Sequence, residues 1–182
     1  MRNNRDYKNF QAGGYYHIYN RGNEKLPLFK DDEDYEVFLF FMNEAFYPEN
    51  VRPAVGERFR RKLLPIGAFH LHSYCLMPNH YHMLIKQNNK VPISKIISKV
   101  CTSYSKYFNK KYRRVGHLFQ DAFKSVLITT YSQFLKTVEY ILQNPIRAGL
   151  VTKISDYKWI SGSSGSLTMT AIVQWESLSD RF

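Results

Sequence analysis

Three short stretches of the chain carry side chains that can do chemistry. His80-Tyr81-His82 places two imidazoles two residues apart. On a strand, alternate side chains share a face, so both rings can reach one metal ion. His70-Leu71-His72 has the same spacing. It lies inside an apolar run, whereas His80 follows a Pro78-Asn79 corner and would stand at a sheet end, open to solvent. The spacing alone equally suits two hydrogen-bonded histidines, and a two-histidine site needs at least one more ligand. The third stretch contains Tyr140 and Asn144. At about 100° per residue, Phe134, Leu135, Val138, Ile141 and Leu142 form one apolar stripe, and Tyr140 lies roughly 160° from its centre. An ordinary exposed tyrosine would sit there too. Asn144 is one turn further on, and its amide oxygen suits a hard divalent ion such as Mg²⁺ or Mn²⁺. A tyrosine beside such an ion could attack a phosphate that the ion polarises, with Lys136 or Lys124 as a cation favouring the phenolate.

Those residues need elements to hold them. Tyr15–Asn20 is aromatic and β-branched and predicts a strand. Asp31 to Glu36 supplies acids for the start of a helix, followed by Phe38, Phe41, Met42, Ala45 and Phe46 at helical spacing. Residues 48–65, with three prolines and the cluster Arg58, Arg60, Arg61 and Lys62, predict a solvated connection. Ile66–Met77 and His80–Lys86 predict a hairpin, Ile93–Tyr112 a helix, and His117–Ile128 a fourth strand. Tyr131–Asn144 predicts a last helix closed by Pro145. The order β-α-β-β-α-β-α predicts an α+β fold, an antiparallel sheet with helices packed on one face. Residues 1–160 form the expected domain, and 161–182 a Ser/Gly linker and tail.

Composition narrows the function class. The 182 residues carry a net charge of +11, and 16% are aromatic. Cations for phosphates and flat rings for unstacked bases point to nucleic acid. Residues 86–124 hold ten basic residues against Asp121 alone. Lys95, Lys99, Lys106 and Lys110 repeat along one helix face, with Arg113 and Arg114 beyond, which favours a phosphate-tracking surface over a merely solvated face. Cys75 and Cys101 exclude a disulfide framework and predict two buried free thiols. No run reaches the roughly 18 apolar residues of a membrane span, and no apolar leader follows Met1, so the expected location is cytoplasmic.

Leu76-Met77-Pro78-Asn79-His80-Tyr81-His82-Met83-Leu84-Ile85 resembles the HUH motif of single-tyrosine transposases. The stretch from Tyr140 to Val151 resembles the catalytic-tyrosine segment of the REP-associated tyrosine transposases. Tyr16–Asn23 and Gly116–Gln120 fit the same family, so four motifs stand in order between about Tyr15 and Lys158. The resemblance implies a ferredoxin-like (RRM-like) domain of the HUH nuclease type that cleaves single-stranded DNA near a hairpin, REP-like or at an element end, through a 5′-phosphotyrosine. It implies that His80 and His82 hold Mg²⁺ or Mn²⁺ with Asn144, and that Tyr140 is the nucleophile. Arg21, Lys124 and Arg147 join Lys95, Lys99, Lys106, Lys110, Arg113 and Arg114 as the expected DNA contacts. Relatives commonly carry Gly-Arg where this chain has Asp121-Ala122, so one positive contact is missing there. A homodimer stays open. The alternative function is a non-catalytic RRM-like module for single-stranded nucleic acid. A zinc hydrolase built on His70, His72 or His117 lacks a neighbouring carboxylate base.

Overall fold

The computed structural model describes residues 10–50 and 63–162. Four strands form one antiparallel sheet in the order β2-β3-β1-β4. They are β1 (Tyr15–Arg21), β2 (Phe69–Met77), β3 (His80–Gln87) and β4 (Lys124–Ile128). The helices are α1 (Asp32–Phe46), α2 (Ile93–Lys111) and α3 (Tyr131–Arg147). Fold class and element order are those expected from the sequence. The basic connection around Arg58 and the tail beyond Gly162 lie outside the described residues.

Pairing decides which side chains share a face. Tyr19 stands opposite His82, and His17 opposite Leu84 and Val126. Ile18 stands opposite Met83 on the other face. That second face is covered by α1 and α2: Phe38 of α1 packs against Tyr81 at 5.5 Å and Tyr104 of α2 at 5.0 Å between ring centroids. Three large apolar rings fully removed from water contribute about 1.5–3 kcal/mol each. The histidine face takes α3, whose Phe134 packs on Tyr15 and His72. The expectation of helices on one face therefore holds for α1 and α2 and is corrected for α3. A 3.6-residue period shows which side of a helix is buried, not which side of a sheet buries it.

Five local expectations change as well. Of the predicted fourth strand, Lys124–Ile128 forms a strand and Phe119 makes an isolated bridge to Gly22. Residues 117–123 wrap the sheet end as a loop, anchored by buried Leu118 and Phe123 and by backbone bonds from Asn23 to Leu118 (2.8 Å) and from Gln120 to Arg21 (3.0 Å). Pro145 does not end α3, which runs to Arg147 with Pro145 buried inside it. Few turns are left for the missing N–H to weaken, and Gly149, at φ +69, supplies the left-handed residue that ends the helix. Leu135, expected in the apolar stripe, is exposed. The second strand begins at Phe69, not Ile66, because 66–67 forms a turn. Cys75 is buried as expected, whereas Cys101 is half-buried, with Sγ 3.3 Å from the Tyr81 hydroxyl. No helix among the described residues is long and apolar enough to cross a membrane.

Candidate active site

β1 and β3 are the two central strands, and β1 ends where β3 begins, at one end of the sheet. Gly22 turns the chain there: a Cβ on it would lie 2.1 Å from the Leu26 carbonyl oxygen, so only glycine fits. The turn places Arg21 beside Gln120, to which its Nε donates a hydrogen bond. His80 opens β3 at the same end, and α3 carries Tyr140 across it. The result is a cleft of about 420 Å³ walled by Tyr19, Arg21, His80, His82, Lys124 and Tyr140, with Asp121 and Ala122 on the loop side.

Inside the cleft, the His80 and His82 rings stand 5.2 Å apart at 90°. Each gives its Nδ1 to a partner within the protein. His80 Nδ1 lies 2.7 Å from Asn79 Oδ1. His82 Nδ1 lies 2.9 Å from Nε2 of His17. Nε2 is then the atom by which each ring could bind a metal, the arrangement a metal-binding histidine uses. Burial keeps the pair neutral. His82 is pushed down to about 3 by desolvation and then by His17 and His80, and His17 is pushed down to about 4 by desolvation. Desolvation lowers His80 too.

The donor set fits a hard divalent ion in part: two neutral imidazoles are present, and the remaining ligands must be oxygens. Among the described residues no group of three His, Cys, Asp or Glu could hold a metal. The third donor expected from the sequence is the Asn144 amide. Asn144 is buried one turn beyond Tyr140, and its Nδ2 donates to the Tyr140 carbonyl at 2.8 Å, leaving Oδ1 as the donor atom. It does not line the cleft itself.

Tyr140 is the residue that α3 delivers to the histidines. Its ring stands edge-on to His82 at 5.4 Å and to His17 at 5.9 Å. Arg147 lies over the same ring at 5.4 Å. The tyrosine that falls off the apolar stripe therefore faces a polar cleft between helix and sheet. Lys136 lines an adjoining groove with His17, Val126 and Tyr140.

The expected DNA contacts divide into two groups. Arg21, Lys124 and Arg147 surround the cleft. Lys95, Lys99, Lys106 and Lys110 follow one stripe of α2, on the opposite side of the sheet, and Arg113 stands past the end of that helix. Lys106 lines a second cleft of about 610 Å³ between α2 and residues 116–122. Gln120, Asp121 and Ala122 wall both clefts, so the α2 stripe and the tyrosine site are separated by one loop. Arg114 differs: its guanidinium lies over the Phe108 ring at 5.8 Å. Asp121 hangs its carbonyl on Asn20 Nδ2 at 3.0 Å, in the segment where a positive side chain is absent. His17 stands inside the Tyr16–Asn23 motif, where spacing alone gives it no part. The signal was the histidine in Tyr16-His17-Ile18, but its contact with His82 follows only from strand register. The His70 and His72 rings pack on one another at 4.5 Å beneath Phe134, away from the cleft.

The lowered histidines make the metal-free fold acid-sensitive. The unfolded rings take up protons near 6.5, the folded ones only near 3 to 4, so stability is present above 6.5 and is lost as pH falls below it. A urea titration in chelator is expected to show a loss of at least about 2 kcal/mol between pH 7 and pH 4.5. An unchanged midpoint would contradict the buried neutral pair.

The sequence matches the family described as "Transposase IS200 like" over residues 13–144. Among solved structures, a REP-associated tyrosine transposase bound to a REP hairpin is similar, with a TM-score of 0.65, 16% identity, and coverage of 88% of this chain and 82% of that one. A candidate transposase from Deinococcus radiodurans aligns at a TM-score of 0.45 and 11% identity, over 74% of this chain and 92% of that one. No curated protein matches the sequence.

Proposed function

The chain belongs to the IS200-like transposase family, and we propose that it cuts and transfers single-stranded DNA beside hairpins, with Tyr140 as the nucleophile. The observation that carries the reading is the meeting of Tyr140 with His80 and His82 in one cationic cleft. The structurally similar REP-associated enzyme is bound to a REP hairpin. A REP-like or element-end hairpin is the partner proposed here on that likeness of fold and on the basic stripe of α2.

In the proposed step the Tyr140 hydroxyl oxygen attacks the scissile phosphorus and the bond to the 3′ oxygen breaks. The phenolic proton leaves, the 3′ oxygen gains one, and the products are a 5′-phosphotyrosine and a free 3′ hydroxyl. Attack by a 3′ hydroxyl on the phosphotyrosine reverses the step and joins strands. His80 and His82, with Asn144 as third donor, are the residues that would hold Mg²⁺ or Mn²⁺. Such an ion supplies polarisation of the phosphoryl oxygen and neutralises developing charge. Arg21 and Lys124 attract and orient the phosphate, and Arg147 places a cation on the face of the nucleophile's ring, where it favours the phenolate.

The test is a labelled hairpin with single-stranded flanks, incubated with Mn²⁺ and resolved on a denaturing gel. A protein-linked DNA band that disappears in chelator is expected. Retarded DNA on a native gel with no covalent band in any metal would instead make the protein a non-catalytic binding module. The basic stripe has its own readout: Lys106→Met should make the slope of log affinity against log salt shallower by about 0.7 to 0.9, measured by anisotropy, if that lysine contacts a phosphate.

A further inference from the structure

We infer that His17 is a positioning residue for the paired histidines: its Nε2 accepts the Nδ1 proton of His82 and thereby fixes the tautomer in which His82 Nε2 carries a lone pair for a metal. The inference rests on the metal reading proposed above and assigns it a further residue.

A neutral imidazole has one N–H and one lone pair. The 2.9 Å contact between His17 Nε2 and His82 Nδ1 holds one proton. If that proton belongs to His17, His82 spends its Nδ1 lone pair as acceptor, carries its own proton on Nε2, and cannot bind a metal there. If it belongs to His82, Nε2 is free to ligate, and His17 must carry its proton on Nδ1. Only the second arrangement is competent.

His80 solves the same problem differently. Its partner, Asn79 Oδ1, can only accept, and the amide is held that way round because Asn79 Nδ2 donates to the Lys25 carbonyl at 3.3 Å. His80 is therefore fixed as the Nδ1–H tautomer by a neighbour with no choice. His82 depends on a neighbour that can play either part, so the state of His17 sets the state of the ligand. The position is rigid, because His17 and His82 stand diagonally on the two central strands of the sheet. The His17 and His82 rings stack at 5.1 Å, and Tyr19 lies against His82 at 5.7 Å. Partners of this kind typically contribute 10- to 100-fold to metal affinity.

The experiment uses the full chain and Mn²⁺ alone, with free ion read by electron paramagnetic resonance. His17→Leu, which offers no acceptor, is expected to weaken Mn²⁺ binding by about 10- to 100-fold. His17→Gln, whose amide oxygen can accept, is expected to restore it to within about threefold. Hairpin affinity in chelator should be equal in both variants and the wild type, and adduct formation by His17→Leu should recover at high Mn²⁺. If His17→Leu fails to fold, long-range proton–nitrogen spectra of the wild type with Mg²⁺ decide: His17 and His82 should both be protonated on Nδ1. A proton on His17 Nε2 with Mg²⁺ bound overturns the role. Wild-type Mn²⁺ affinity in His17→Leu, with binding lost in His80→Ala, overturns it while leaving the metal reading intact. Undiminished binding in His80→Ala overturns the metal reading and the His17 role together.

Discussion

Tyr140→Phe should abolish the protein–DNA adduct, a fall on the order of 10³-fold or more, while hairpin affinity stays within about twofold of wild type. The substitution removes one oxygen and keeps the ring. The ring is what touches His82, His17 and Arg147, so the cleft keeps its walls and its charge. Tyr140 is 38% exposed, so losing its hydroxyl strands no buried polar partner. The two effects are read separately, the adduct on a denaturing gel and the affinity by native titration. An adduct formed in normal amount by Tyr140→Phe would remove Tyr140 from the mechanism and point to another hydroxyl near the cleft, Tyr19 first. A parallel loss of adduct and affinity would mean that the hydroxyl serves binding.

Much of this site was legible because its parts are local. His80 and His82 are set two apart by the strand itself, and Tyr140 and Asn144 four apart by the helix itself. What could not be read is what strand pairing and packing bring from far away. His17 and His82 are 65 residues apart in sequence and meet only through the register of β1 on β3. The choice of α3 for the histidine face is likewise made by packing, since its stripe, centred on Phe134 and Ile141, would bury equally well on either side of a sheet. Residues 117–123 misled for a related reason. Leu118, Phe119 and Phe123 carry a strand's composition, but they are anchors by which a loop is pinned to the sheet end. Pro145 does not close α3, because proline restricts the residue before it and a buried position near the end of a helix can absorb that restriction.

The same distinction governs the basic run, where charge alone does not separate a DNA contact from a structural cation. Lys111 belongs to the run by sequence, yet its Nζ sits 2.8 Å from Asp31, 2.9 Å from Glu33 and 3.0 Å from Asp34. Asp34 is fully buried at the start of α1, and besides Lys111 it accepts from Tyr107 (3.1 Å), Tyr112 (2.8 Å) and the Lys30 backbone (2.8 Å). This one carboxylate ties the first turn of α1 to the last turn of α2. Asp34→Ala leaves the Tyr107 hydroxyl and the Lys30 amide without this acceptor, while Lys111 and Tyr112 keep Asp31, and is expected to cost about 2–3 kcal/mol in a urea titration at neutral pH. A loss below about 1 kcal/mol would mean that water replaces the carboxylate and that the cluster is incidental. Lys111→Met completes the contrast with Lys106→Met. It should lower stability while leaving the salt slope of hairpin binding unchanged, because its charge is already spent on α1. A shallower slope for Lys111→Met would return that lysine to the DNA surface and break the division between the outer stripe of α2 and its inner, load-sharing face.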